Sequence, residues 1–124
     1  MADSSPLQLR LRLNGSHGVI MGPGRADLLA LIAETGSIAA AGRRMGMSYK
    51  RAWGLVESLN ASFATPLVET AKGGAAHGGA RLTALGEELL AAYRALEEAS
   101  QTAGAAAIRR IESALSVPPA QNPR

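Results

Sequence analysis

Apolar and polar positions change period several times along the chain, and each change predicts an element. Leu7, Leu9, Leu11 and Leu13 alternate with Gln8, Arg10 and Arg12. Period two is the mark of a strand with one buried face. Asn14-Gly15 is a turn signal, and residues 17–21 can return as the second strand of a hairpin spanning 7–21. Gly22-Pro23-Gly24 breaks the chain, and a helix follows from about Arg25 to Thr35. Leu28, Leu31 and Ile32 line one of its faces, and Gly36 supplies the stop. Ser37 caps a short helix, residues 38–45, which Gly46 ends. Ser48 caps a third helix, from Tyr49 to about Phe63, and Pro66 cannot continue it.

Residues 67–70 and 81–83 then read as two short strands around a Gly-rich tip, Lys72 to Ala80. Thr83 can cap a long final helix. Along it Leu85, Leu89, Ala92, Leu96, Ala99 and Ala103 step by alternating four and three, a seam suited to a partner helix. Gly104 weakens the helix by ~1 kcal/mol relative to Ala, after which Ile108, Ile111 and Leu115 can resume it. Pro118-Pro119 closes it, and residues 117–124 are expected to be a disordered tail.

Two helices around a glycine turn, residues 37–63, followed at once by a two-stranded ribbon, residues 67–83, define a winged helix-turn-helix. The expected fold is therefore mainly α with small β. A DNA-binding domain over 1–83 carries an N-terminal β-hairpin, and a long C-terminal dimerisation helix over 84–116 follows. In the helix-turn-helix, Ile38, Ala41, Met45, Met47, Ala52, Val56 and Leu59 fall where two crossing helices share a core. Ala39, Ala40 and Ala41 allow close approach. Tyr49, Lys50, Trp53 and Gly54 are left pointing outward from the third helix.

Composition narrows the chemistry. The 124 residues are 47% apolar and only 3% aromatic, which favours helix over an extensive sheet. With no Cys there are no disulfides or thiolate metal sites. His17 and His77 are too isolated to form a metal site, and no Ser/His/Asp or paired-carboxylate pattern supports catalysis. The N-terminus does not read as a signal peptide, and no apolar run reaches the ~20 residues of a membrane span. A soluble, cytoplasmic protein without a membrane partner is expected.

Net charge is +3, and its placement matters more than its size. Arg43, Arg44, Lys50 and Arg51 gather around the helix-turn-helix, while Glu87, Glu88, Glu97 and Glu98 sit in the C-terminal part. A recognition helix enters the major groove N-terminus first. Its free amides favour a phosphate there. Ser48 and Tyr49 are the candidate phosphate donors, and Ser37, at the start of the preceding helix, is a further DNA-binding candidate. Lys50 and Arg51 add charge and reach for guanine edges, and Trp53 is placed for sugar or a thymine methyl. In the wing, Lys72, Gly73, Gly74, His77 and Arg81 are candidates for a second contact. The partners expected are double-stranded DNA and a second copy of the chain. Helix pairs around a glycine also occur without DNA; Trp53 then belongs to the core and the arginines are ordinary solvated charges.

The runs Gly36-Ser37-Ile38, Gly46-Met47-Ser48-Tyr49-Lys50-Arg51-Ala52-Trp53, Pro66-Leu67-Val68-Glu69-Thr70 and Arg81-Leu82-Thr83 with Gly86 resemble the N-terminal domain of the ModE family of molybdate-responsive regulators. More broadly they resemble LysR-type DNA-binding domains. The resemblance covers about residues 7–100. It implies a winged helix-turn-helix, dimerisation through the final helix, and control of transcription, often of molybdenum uptake or molybdoenzyme genes. It also implies that Ser48, Tyr49, Lys50 and Trp53 belong to the DNA-facing helix and Gly73 to Gly79 to the wing. Full-length members carry C-terminal molybdate-binding domains, whose oxyanion donors have no counterpart in these residues. A stand-alone form with no cofactor is the expectation, molybdate being a family ligand unsupported by this chain. Two other readings stay open: a protein-interaction module on the same fold, and an oxyanion sensor.

Overall fold

The computed structural model describes residues 7–71 and 79–116. The tip candidates Lys72, Gly73, Gly74 and His77, and the tail at 117–124, lie outside the described residues. The elements in chain order are β1 (Leu13–Gly15), β2 (Gly18–Met21), α1 (Pro23–Thr35), α2 (Ile38–Arg44), α3 (Tyr49–Ser62), β3 (Val68–Thr70), β4 (Ala80–Leu82), α4 (Ala84–Ala103) and α5 (Ala105–Ser113). The fold is a mostly helical winged helix-turn-helix with two small hairpins.

The helix boundaries follow local chemistry. Pro23 opens α1 at a position whose N–H would be unpaired anyway. Gly36, at φ 72°, closes it by donating to the Ile32 carbonyl at 2.8 Å. Three hydroxyls cap the next helices. Ser37 accepts from the Ala40 amide at 3.0 Å, Ser48 from Arg51 at 3.1 Å, and Thr83 from Gly86 at 3.0 Å. The Thr83 hydroxyl also donates to the Pro66 carbonyl at 2.8 Å, which ties the start of α4 to the entry of the wing.

The core sits between α1, α2, α3 and the wing. Leu28, Leu29, Ile32, Val56, Leu59 and Leu67 are fully buried there. In the wing, Val68 pairs with Leu82, Glu69 with Arg81 and Thr70 with Ala80. Val68, Leu82 and Ala80 are buried, while Glu69 and Arg81 are exposed on the other face. The ribbon is anchored at the tip-side end of its strands by the Ala80 amide donating to the Gly36 carbonyl at 2.9 Å, and by a bridge between Ser37 and Gly79.

Two expectations need correction. The alternation beginning at Leu7 does not become strand before Leu13. Among the described residues no strand pairs with residues 8–12, so their period builds no ladder. Leu9 is exposed and Leu11 half-buried. Tyr93 holds this segment by donating its hydroxyl to the Leu11 carbonyl at 2.7 Å. The hairpin turn also falls later than Asn14-Gly15. Gly15 pairs with Gly18, at φ 131°, so the chain reverses over Ser16-His17. At the other end, Gly104 divides the long helix into α4 and α5.

Helix α4 is fixed against the body at two places. At Gly86 it lies so close to the chain that a Cβ would run into the Leu67 carbonyl. Further along, Arg94 donates to Asp27 of α1 at 2.9 Å and to Glu97 at 3.1 Å. Gly86→Ala should therefore destabilise the fold by about 2 kcal/mol or more in urea unfolding, although alanine is the better helix former; an unchanged midpoint would contradict the close contact. Tyr93→Phe should cost about 1 kcal/mol at pH 7 by losing the Leu11 hydrogen bond. The Tyr93 phenol is raised above its ordinary pKa, by burial first and then by the Glu97 charge. A raised folded-state pKa means stability that is present below the free-tyrosine value and lost as pH climbs through the folded value. Wild type should thus lose stability more steeply than Tyr93→Phe above pH ~10, and parallel curves would show the phenol unburied.

Candidate nucleic-acid interface

The site is built on the crossing of α2 and α3. Gly42 on α2 faces Ala52 on α3 so closely that a Cβ at residue 42 would stand 2.9 Å from the Ala52 Cβ. Gly46, at φ 73°, makes the turn between them, and the Met47 amide donates back to the Gly42 carbonyl at 2.9 Å. These contacts fix which side of α3 is inward. Ala52, Val56 and Leu59, spaced four and three apart, are buried. The opposite side, with Lys50, Gly54 and Glu57, is exposed.

At the N-terminal end of α3 the predicted residues converge. Ser48, Tyr49, Lys50 and Arg51 are all exposed, Tyr49 at 55%. The first turn carries no acidic side chain, so nothing there offsets the positive end of the helix dipole. The Ser48 oxygen is engaged as a cap, which leaves its O–H free to donate outward. Tyr49 and Trp53 lie side by side, ring centres 6.3 Å apart and tilted by 35°. Trp53 is half-buried and packs against the hydrophobic cluster, so it stands between the outward position expected of it and a core position. It braces the aromatic pair from behind.

The charges separate into free and engaged. Among the described residues, Arg43, Lys50 and Arg51 make no ion pair and are exposed. Arg44 pairs with Glu34 at 3.1 Å, and Arg81 pairs with Glu69 across the wing at 3.2 Å. Both pairs are solvent-exposed and correspondingly weak, so a phosphate can compete for either arginine. Ser37 is half-buried at the start of α2, its oxygen used as a cap.

Two residues that sequence reasoning passed over belong to this region. Asn60, near the end of α3, accepts from the Leu67 and Val68 amides at 2.8 and 3.1 Å, and donates to the Val68 carbonyl at 3.1 Å. It clamps the first wing strand to α3. Arg25 of α1 donates to Ser58 of α3 at 3.2 Å. Both contacts join segments distant in sequence, and no local spacing announces them.

The seam predicted on α4 divides. Leu85 and Leu89 are half-buried against the molecule's own core, whereas Ala92, Leu96, Ala99 and Ala103 are exposed. An apolar groove of about 200 Å³ opens beside it, lined by Leu13, Ile20, Phe63, Leu89 and Leu96 among others.

The model of the bacterial regulatory helix-turn-helix proteins of the lysR family matches residues 25–87, which spans the start of α1 through the start of α4. The chain is 48% identical over 105 residues to the molybdenum-pterin-binding protein MopB of Rhodobacter capsulatus, covering 84% of this chain and 37% of that protein. It is 36% identical over 96 residues to the DNA-binding transcriptional dual regulator ModE of Escherichia coli (strain K12), covering 77% of this chain and 37% of ModE. It thus spans little more than a third of the length of these relatives. Among solved structures it is similar to a CbnR_DBD-DNA complex, with TM-score 0.57 and 25% identity over 71% of this chain and 95% of that one. A full-length CbnR complexed with its target DNA gives TM-score 0.54 and 26% identity, covering 68% of this chain and 27% of that one. The match over the helix-turn-helix and wing shows that the chain belongs to the lysR family of bacterial regulatory helix-turn-helix proteins.

Proposed function

We propose that this protein is a transcription regulator that binds duplex DNA by placing the N-terminal half of α3 in the major groove. One observation carries the reading: Arg43, Lys50 and Arg51 stand exposed, and without ion pairs among the described residues, around the capped, acid-free start of α3. A surface that keeps cations desirous of partners beside free helix amides favours a polyanion over a neutral protein face. Phosphate contacts by Arg43, Arg44, Arg51 and Ser48 give affinity. Tyr49, Lys50 and the Tyr49–Trp53 pair meet the bases. In sequence, Lys72, Gly73, Gly74 and His77 join the two wing strands and would supply a second contact, with Arg81 released from Glu69 by a phosphate.

The protein works as a homodimer in the cytoplasm. The exposed Ala92, Leu96, Ala99 and Ala103, continued on α5 by Ile111 at 60% exposure, give each copy an apolar strip that a second copy would cover. Two copies related by a two-fold axis would read two half-sites a whole number of DNA turns apart. The relatives named for molybdenum support control of molybdenum-related genes, and the family is one of regulators rather than enzymes. No helix among the described residues is long and apolar enough to cross a membrane.

In gel-shift or anisotropy titrations with a duplex selected by the protein from a random pool, log affinity should fall steeply with log salt. Lys50→Ala should weaken binding by about 1–3 kcal/mol; a flat salt response would overturn the mechanism. Leu96→Glu should shift the protein from dimer to monomer in analytical ultracentrifugation, and an unchanged mass would exclude α4 as the interface.

A further inference from the structure

Among the described residues, no packing contact or backbone angle requires residue 54 to be glycine. It stands in the middle of α3, where glycine weakens a helix. Its neighbours in kind do have such reasons. Gly42 and Gly86 would each drive a Cβ into the facing segment, and Gly36 and Gly46 adopt positive φ. Gly24, also open, belongs to the first turn of α1. At Gly54 a Cβ would meet nothing within 4 Å among the described residues, and the residue is exposed opposite the buried face of α3.

Cations stand one turn to either side of this gap, and the exposed Glu57 carboxylate lies beside it on the same face. One turn earlier stand Lys50 and Arg51, exposed and without ion pairs among the described residues. One turn later stands Ser58, which holds the Arg25 guanidinium at 3.2 Å. Arg25 likewise makes no ion pair among the described residues. Among the described residues its side chain donates to a neutral hydroxyl and meets no carboxylate, so its direction is set while its charge is left uncompensated. The two cationic groups are separated by two helical turns, about 11 Å along the axis, with no side chain at residue 54 between them.

We infer that one DNA strand crosses α3 at Gly54, its sugar–phosphate backbone lying against the helix where no side chain intervenes, with Arg25 oriented by Ser58 onto a phosphate on the far side. This rests on the DNA-reading function proposed above and adds two residues to it. Gly54 sets how closely the helix seats, and Arg25 extends the contact from α3 to the body of the domain.

The test uses the full chain and a duplex selected by the wild-type protein from a random pool. Gly54→Ala should raise Tm by about 4 °C, yet weaken binding about tenfold, and Gly54→Leu should weaken it further. Arg25→Gln should weaken binding about fivefold and reduce the slope of log affinity against log salt by about one. The opposite signs for Gly54→Ala separate a contact with DNA from damage to the fold. Unchanged affinity in Gly54→Ala, a lowered Tm in it, or an unchanged salt slope in Arg25→Gln would each overturn the inference. If the wild-type protein selects no duplex, the DNA-reading function falls and takes this inference with it. If it does and the variants bind alike, only the inference falls.

Discussion

The architecture depends on how closely α2 and α3 cross. Residue 42 has no room for a side chain beyond hydrogen, because a Cβ there would meet the Cβ of Ala52 at 2.9 Å. That contact pins the rotation of α3 about its own axis. Once Ala52 faces α2, Val56 and Leu59 are carried into the core, and Lys50 and Gly54 are carried to the opposite side. The exposure of the basic ridge is therefore a consequence of packing. A larger residue at 42 would push the helices apart and turn or lift the face that carries the charge.

The rest of the domain preserves that orientation. Asn60 fastens α3 to the first wing strand through three hydrogen bonds, and the Gly36 carbonyl holds the second strand. Thr83 joins the wing to α4, and Arg94 joins α4 to α1. Recognition helix, wing root and long helix thus share direct polar contacts. At Gly86, α4 lies directly against the wing root at the Leu67 backbone, with no room for a Cβ between them. In a dimer held through α4, the same contacts would determine how two α3 helices are spaced.

Much of this was legible in the sequence wherever the information is local. The caps at Ser37, Ser48 and Thr83, the turn at Gly46 and the helical spacing of Ala52, Val56 and Leu59 each depend on a few neighbouring residues. What escaped was non-local. Leu7 to Leu13 alternate as a strand does, but a ladder needs a second strand, and among the described residues none pairs with residues 8–12. Arg25 and Asn60 gain their roles from contacts 33 and 8 residues away. Arg81 reads as a free cation until Glu69 is found opposite it across the ribbon. Leu85 and Leu89 carry a periodicity that serves the molecule's own core as well as a partner helix, and sequence alone does not divide the two.

Trp53 is the one tryptophan in the chain and sits within the proposed contact face, next to Tyr49. Its fluorescence reports on that face with no label attached. Titrating the protein with a duplex it selects should change the Trp53 emission in a saturable way, at the same concentrations at which binding is seen by an independent method, and salt should reverse it. DNA binding that leaves the Trp53 emission untouched would mean that the groove is met by some other surface.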